Sequence, residues 1–245
     1  MAKEARIALL IDCDNVSYRS AEGVLDELSK YGKVNVRHAY GNWKSEQLKG
    51  WEEQLHPLAI KPIQQFAYTS GKNATDAAMI IDAMDILYSE KVNGFCIVSS
   101  DSDFTKLATR LREAGMMVIG MGEKKTPDPF IVACDKFIYL EILQKQTEEP
   151  IDQKDKTTHA PQVDKINAKI IRLIAATISD LADDEGWAFL GDVGNLLQKK
   201  QPNFDARNYG FQKLTPLIKS IPAFEIDHRE NIKGKTKLIY VRNKS

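Results

Sequence analysis

Residues Ile7–Asn15 read Ile-Ala-Leu-Leu-Ile-Asp-Cys-Asp-Asn, and residues Gly94–Asp103 read Gly-Phe-Cys-Ile-Val-Ser-Ser-Asp-Ser-Asp. Each is an apolar run closed by carboxylates. A run without polar alternation is what a strand buried on both faces requires, as in the middle of a parallel sheet. Carboxylates directly after such runs stand at the carboxyl edge of the sheet, where α/β sites are built.

The pattern continues outward. Ala21–Lys30 reads as a helix stopped near Tyr31-Gly32, Val34–Tyr40 as a strand, and Ser45 to about Leu55 as a helix ending before Pro57. Ile60–Tyr68 reads as a third strand, which Pro62 confines to an edge or delays. Thr75–Ser89 is the clearest helix. Phe104–Ala114 is another, followed by a strand at Met116–Met121, a short helix near Pro129–Cys134 and a strand at Phe137–Leu140. Strands alternating with helices predict a parallel sheet covered on both faces.

Residues 144–165 are polar, carry two prolines and read as a flexible linker. Beyond them Ile166–Leu181, Leu190–Lys199 and Tyr209–Ser220 read as helices. Phe224–Asp227 and Lys237–Arg242 read as a hairpin around the basic stretch Arg229–Lys235. Helices followed by a two-stranded ribbon predict a winged helix-turn-helix, a shape that commonly handles nucleic acid. The expected division is an α/β domain at 1–143, a linker at 144–165 and a small α+β domain at 166–245.

Composition narrows the class. The 245 residues are 43% hydrophobic, enough for sizeable cores. Lys+Arg and Asp+Glu are equal at 34 each, but residues 1–145 are net −2 and residues 166–245 net +4. No apolar run approaches the roughly 18–20 residues of a membrane span, and the first residues lack an apolar signal core. Cys13, Cys96 and Cys134 are scattered, as are His38, His56, His159 and His228, so neither a disulfide framework nor a zinc knuckle fits. A reduced, cytoplasmic protein without a membrane partner is the expectation.

The chemistry-bearing residues are acidic. Asp12 and Asp14 follow the first strand, and Asp101 and Asp103 the later one. Asp76 opens the helix Thr75–Ser89 and shares a face with Ile80, Ala83 and Leu87, which places it at the sheet end of an inward stripe. Asp82 and Asp85 fall on the opposite side and are expected in solvent. Two carboxylates about 4 Å apart repel by roughly 4 kcal/mol at an effective dielectric near 20. Three such repulsions rival the ~5–15 kcal/mol stability of a domain. Such a cluster is either protonated or holds cations, and an all-oxygen donor set without His or Cys suits Mg²⁺ or Mn²⁺. The competing roles are helix capping for Asp14 and Asp103, and a first-turn dipole contact for Asp76.

Asn15, Ser99, Ser100 and Ser102 lie at strand-to-helix turns, where backbone N–H groups bind anions, and Lys72 can place a cation beside the carboxylates. Trp43, Trp51 and Tyr68 are packing aromatics with base stacking as their alternative.

The runs I-D-x-D-N at Ile11–Asn15, G-K-N-A-T-D-x-A-x-x-I-D-A-M-D at Gly71–Asp85 and V-S-S-D-S-D-F at Val98–Phe104 resemble the NYN domain family, a branch of the PIN-like nucleases. G-x-G-E-K-K-T-P at Gly120–Pro127 resembles its bacterial subgroup. The resemblance implies a PIN-like three-layer α/β/α sandwich and metal-dependent phosphodiester hydrolysis, with RNA the usual substrate class. Carried over, it marks Asp12, Asp76, Asp101 and Asp103 as metal carboxylates and Asn15 as an orienting residue. Cys13 departs from the small residue expected between the two aspartates.

The second unit resembles the OST-HTH (LOTUS) domain through Gly186-Trp187, L-x-x-V-G-x-x-L at Leu190–Leu197, Phe204, and Y-G-F-x-K-L at Tyr209–Leu214. That family is associated with RNA and with protein partners. Trp187, Leu190, Val193, Leu197, Phe211 and Leu214 are expected in its core. Lys199, Lys200, Arg207 and Lys213, with Lys233, Lys235 and Lys237, would supply phosphate contacts. Two alternatives compete with a ribonuclease. Asp12–Val16 also spells D-x-D-x-V, as in haloacid-dehalogenase-type phosphatases with Asp12 as nucleophile, and the chain could be a non-catalytic RNA-binding adaptor.

Overall fold

The computed structural model describes residues 4–64, 74–144, 163–230 and 237–244. The chain divides into two compact units on either side of residues 156 and 157.

The first unit alternates as the apolar runs demand: β1 (Arg6–Asp12), α1 (Ala21–Leu28), β2 (Lys33–Gly41), α2 (Lys49–Leu55), β3 (Lys61–Gln64), α3 (Ala74–Tyr88), β4 (Gly94–Val98), α4 (Thr105–Glu113), β5 (Met117–Gly122), α5 (Asp128–Ala133), β6 (Lys136–Tyr139) and a single turn, α6 (Glu141–Gln144). The strands form one all-parallel sheet in the order β3-β2-β1-β4-β5-β6. Pro62 lies in β3 at the sheet edge, where a missing N–H costs no ladder bond. The rest of the strand read from sequence, residues 65–68, lies outside the described residues.

Alternation along β1 sorts the two cores. Ile7, Leu9 and Ile11 pack with Val24, Leu28, Trp51 and Leu143 on one face. Ala8 and Leu10 pack with Met79 and Ala83 of α3, Leu107 and Leu111 of α4 and Phe130 of α5 on the other. Three layers result, as read from the sequence. Successive strands run outward from β1 in opposite directions, to β2 and β3 on one side and to β4, β5 and β6 on the other. The topological switch point therefore falls between β1 and β4, which is where a doubly wound sheet opens a crevice.

Helix α3 corrects one expectation. Its inward face holds Asp76, Met79, Ala83, Ile86 and Leu87, with Ile80 half-buried. Asp85 is exposed, but Asp82 is not a solvent residue: it is half-buried on the flank, 2.6 Å from His38 Nδ1, and accepts the Tyr40 phenol. The buried Tyr40 hydroxyl needs an acceptor, and the flank of α3 supplies it.

The second unit contains α7 (Ala168–Leu181), β7 (Ala188–Phe189), α8 (Leu190–Lys200), α9 (Leu214–Lys219), β8 (Phe224–Glu230) and β9 (Lys237–Asn243), with an antiparallel sheet in the order β7-β9-β8. Two strand residues precede α8 that the sequence pattern does not reveal. The helix expected over Tyr209–Ser220 is shorter: a 3-10 turn at Ala206–Tyr209 ends at Gly210, whose φ of +84° reverses the chain, and α9 begins at Leu214. Its core joins Ile170, Ile174, Ile178, Val193, Leu197, Leu217 and Val241. Trp187 is not part of it.

Candidate functional site

Parallel pairing of β1 with β4, in which Ile11 lies beside Val98, places Asp12 next to the turn that follows β4. Asp12 is fully buried. Its Oδ2 accepts from Asn15 Nδ2 and from Ser99 Oγ, each at 2.7 Å. Its Oδ1 is buried with no hydrogen-bond partner among the described residues. Burial raises the pKa of this carboxyl, against the two donors, which lower it.

Asp76, in the first turn of α3, meets Asp101 and Asp103 from the far side of the switch point. One carboxylate oxygen from each lies within 4.8 Å of the others; Asp76 is buried, Asp101 half-buried and Asp103 exposed. Burial first, then the charges of Asp12, Asp101, Asp103 and Asp14, push Asp76 up to about 6. At 4.8 Å two ionised carboxylates repel by about 3.5 kcal/mol at an effective dielectric near 20.

The turn is braced from three directions. Asp101 caps a 3-10 turn at Ser102–Phe104, its Oδ1 accepting from the Asp103 N–H at 2.8 Å. The capping role read for Asp103 therefore belongs to Asp101. Ser99 Oγ also accepts from the Asp101 N–H at 3.1 Å. Glu123 N–H donates to Ser100 Oγ at 2.9 Å, and Thr126 Oγ1 to the Glu123 carbonyl at 2.6 Å. Gly122 lets β5 pass this close, since a Cβ there would stand 2.5 Å from the Ser99 carbonyl oxygen. On the other side Thr75 Oγ1 donates to Asp14 Oδ2 at 2.8 Å, tying the loop after β1 to the start of α3.

Several residues read as phosphate contacts have other occupations. The buried Ser99 hydroxyl is committed to Asp12 and that of Ser100 to the Glu123 amide, so both are braces. Ser102 is exposed, and Lys72 lies outside the described residues. Trp51 is core, its indole N–H bonded to the Val16 carbonyl at 3.0 Å. Trp43 is half-buried and fixed by its indole N–H to the Ile63 carbonyl. In the second unit Lys200 is paired with Asp180, and Arg207 is held bidentate by Asp205 in a largely buried pair. Lys199 and Lys213 are exposed, without an ion pair among the described residues. Thr75, Gly122 and Glu123 are braces that sequence reasoning misses. Their backbone and hydroxyl contacts carry no signature beyond their place in the quoted motifs.

Residues 6–141, more than half of the chain, match the NYN domain family with this carboxylate edge inside the matched region. The chain belongs to the NYN family. Residues 161–236 match the OST-HTH/LOTUS domain, so the NYN domain is followed by a unit of a family linked to RNA. Among solved structures, a protein of unknown function from Vibrio parahaemolyticus is 19% identical, with a TM-score of 0.48 over 57% of this chain and 94% of its own. An uncharacterised protein from Nitrosomonas europaea is 31% identical, with a TM-score of 0.31 over 40% and 93%. Part of a protein from Chromobacterium violaceum is 28% identical, with a TM-score of 0.27 over 34% and 87%. No curated protein matches the chain. No helix among the described residues is long and apolar enough to cross a membrane.

Proposed function

We propose that this NYN protein is a ribonuclease that hydrolyses RNA phosphodiesters with Mg²⁺ or Mn²⁺ at the β1/β4 edge, and that its OST-HTH/LOTUS unit recruits the RNA. The observation that carries this is the convergence of Asp76, Asp101 and Asp103 beside the buried Asp12. The residues fit a hard cation. All donors are carboxylate oxygens, the buried Oδ1 of Asp12 has no partner among the described residues, and Asp76 is pushed up first by burial and then by the charges of its acidic neighbours, which a cation would offset. Asp76, Asp101 and Asp103 would hold it, with Asp12 behind them. When bound, the cation supplies Lewis-acid polarisation of the phosphoryl oxygen and a nucleophilic water at neutral pH.

The protein's own groups do the positioning. Asn15 and Ser99 occupy one oxygen of Asp12, and the other has no partner among the described residues. The cap made by Asp101 fixes the turn that presents Asp103. Thr75 and Asp14 hold the start of α3, and with it Asp76, against the end of β1. The rival reading of Asp12 as a phosphatase nucleophile is disfavoured, because the side chain is fully buried and one oxygen already accepts two hydrogen bonds. Protein partners of the second unit and a cytoplasmic location are compatible with the proposal and are not needed by it.

The test is cleavage of labelled RNA by the purified chain with Mg²⁺, Mn²⁺ or EDTA, beside Asp101→Asn. Cleavage that needs the cation and disappears in the folded variant supports the reading. Full cleavage in EDTA, or by the variant, overturns it. Hydrolysis of a phosphomonoester in place of RNA would select the phosphatase.

A further inference from the structure

Trp187 lies outside the core in which the sequence pattern places it. Alternation along the small sheet explains its position. Ala188 pairs with Val241 on the buried face, while Phe189, Tyr240 and Asp227 form one row on the outer face, and Arg242 with Glu225 the next. Trp187, one residue before Ala188, falls on the same outer side as Phe189.

Three aromatic rings and two guanidinium groups therefore share this face. Arg242 Cζ stands 4.5 Å from the Trp187 ring centroid. Arg229 Cζ stands 4.4 Å from the centroid of Tyr240 and 5.3 Å from that of Trp187. Phe189 and Tyr240 are tilted neighbours at 5.9 Å, and Phe189 remains 36% exposed.

The face is pre-organised. Arg242 donates twice to Glu225, at 2.7 and 3.0 Å, and Arg229 donates once to Asp227 at 3.0 Å, so both guanidinium groups are restrained. The Trp187 backbone is locked by reciprocal bonds: its N–H to Asp183 Oδ1 and its carbonyl to the Asp183 N–H, both 2.8 Å. Gly186, at φ +82°, makes the tight turn between them.

Two acidic and two basic side chains cancel on this surface. It is unsuited to phosphate, which wants unpaired cations, and suited to flat, weakly polar rings. Aromatic faces and Arg guanidinium planes are what unstacked nucleobases stack upon, in single-stranded RNA above all. Three strands about 4.8 Å apart span roughly 10 Å, and the two rows stand about 7 Å apart, room for about two bases. We infer that the outer face of the β7-β9-β8 sheet, built from Trp187, Phe189, Tyr240, Arg229 and Arg242, is a base-stacking platform for single-stranded RNA. The inference rests on the proposal that the second unit recruits RNA, and adds which surface does so and which part of the nucleotide it reads.

The test uses the full chain in EDTA with a fluorescein-labelled 12-nucleotide single-stranded RNA, and the same oligonucleotide with four central abasic sites. The proteins are wild type, Phe189→Ala/Arg229→Gln and Phe189→Tyr, each checked for native circular dichroism. One stacked base is worth roughly five- to a hundredfold in affinity. The double variant should bind the intact RNA about tenfold more weakly, with an unchanged slope of log affinity against log salt. Wild type should lose about the same factor on the abasic oligonucleotide, the double variant should not distinguish the two, and Phe189→Tyr should bind as wild type. Equal binding of intact RNA by wild type and double variant overturns the platform and leaves the face to a protein partner. Wild type indifferent to the abasic sites overturns it too. If wild type binds no RNA in any form, the failure lies with the recruitment proposal itself.

Discussion

Replacing Asp76 by Asn should stabilise the protein without metal and abolish what metal adds. The shift of Asp76 from 3.8 to about 6 sets the size. Two units correspond to about 3 kcal/mol at 1.36 per unit. Solvent screening at the open edge of the sheet reduces this to about 1–2 kcal/mol. The sign follows from linkage. The folded pKa lies above the unfolded one, so the protonated carboxyl favours the fold, and that stability is lost as pH rises from 3.8 through about 6. Asn mimics the protonated form at every pH. In EDTA the variant should therefore match wild type near pH 4 and exceed it at pH 7.5. For a domain near 140 residues that is about 3–8 °C in Tm. Scanning calorimetry of the full chain measures it, following the transition that moves with pH. Adding Mn²⁺ at pH 7.5 should reverse the order, because ligand binding to the folded state stabilises wild type by RT ln(1 + [L]/Kd) and the variant has lost a ligand. A variant less stable than wild type in EDTA at pH 7.5, or an equal Mn²⁺ shift in both proteins, would refute the reasoning.

Ser99→Ala removes one of two donors to the fully buried Asp12. It should cost about 1–3 kcal/mol in urea unfolding and lower kcat for RNA cleavage; unchanged stability would show that the Ser99 hydroxyl does not hold Asp12. Asp101→Asn should reduce cleavage more than Asp103→Asn at equal Mn²⁺, since Asp101 is half-buried and also caps the turn whereas Asp103 is exposed. The reverse order would show the two roles exchanged. Tyr40→Phe should destabilise by about 1 kcal/mol by deleting the bond to Asp82 while cleavage at saturating RNA stays near wild type; a large kcat loss would tie that flank of α3 to the reaction. Lys199→Ala/Lys213→Ala should flatten the salt dependence of RNA binding, by about 0.7 in log–log slope for each phosphate that a lysine no longer neutralises. Lys200→Ala should leave the slope alone, because Lys200 is held by Asp180.

The carboxylate edge is legible in the sequence because its signal is a contradiction of polarity. Asp12 ends the apolar strand β1 and Asp101 stands three residues past the end of β4, and nothing in a strand buried on both faces calls for the carboxylate of Asp12. Sheet order is not legible. That β1 and β4 are neighbours across a switch point depends on long-range pairing, and local pattern says nothing of it. The brace residues escape for a related reason. Ser99 looks the same whether its hydroxyl meets a phosphate or a neighbouring Asp, and only the parallel register of β1 with β4 decides. Asp82 is misplaced by periodicity because a helical wheel sorts residues into two faces, while the sheet beneath α3 also reaches its flank through Tyr40 and His38. Trp187 is misplaced because an aromatic beside an apolar run usually joins the core, and a two-residue strand puts alternate side chains on opposite faces.

A charge count does not say which cations are available. The +4 of residues 166–245 suggests a unit that grips phosphate, yet Lys200, Arg207, Arg229 and Arg242 are each paired with an acid. Those four pairs cancel internally, so the whole +4 stays with the other nine basic residues against five acidic ones, the exposed Lys199 and Lys213 among them. Each such contact is screened by salt, while the first unit, at −2 over residues 1–145, adds no general attraction of its own. If the second unit recruits RNA as proposed, contacts that salt does not weaken would add to these. Stacking on Trp187, Phe189 and Tyr240 would be of that kind, and the same carboxylates that cancel Arg229 and Arg242 as phosphate ligands restrain their guanidinium groups beside the rings.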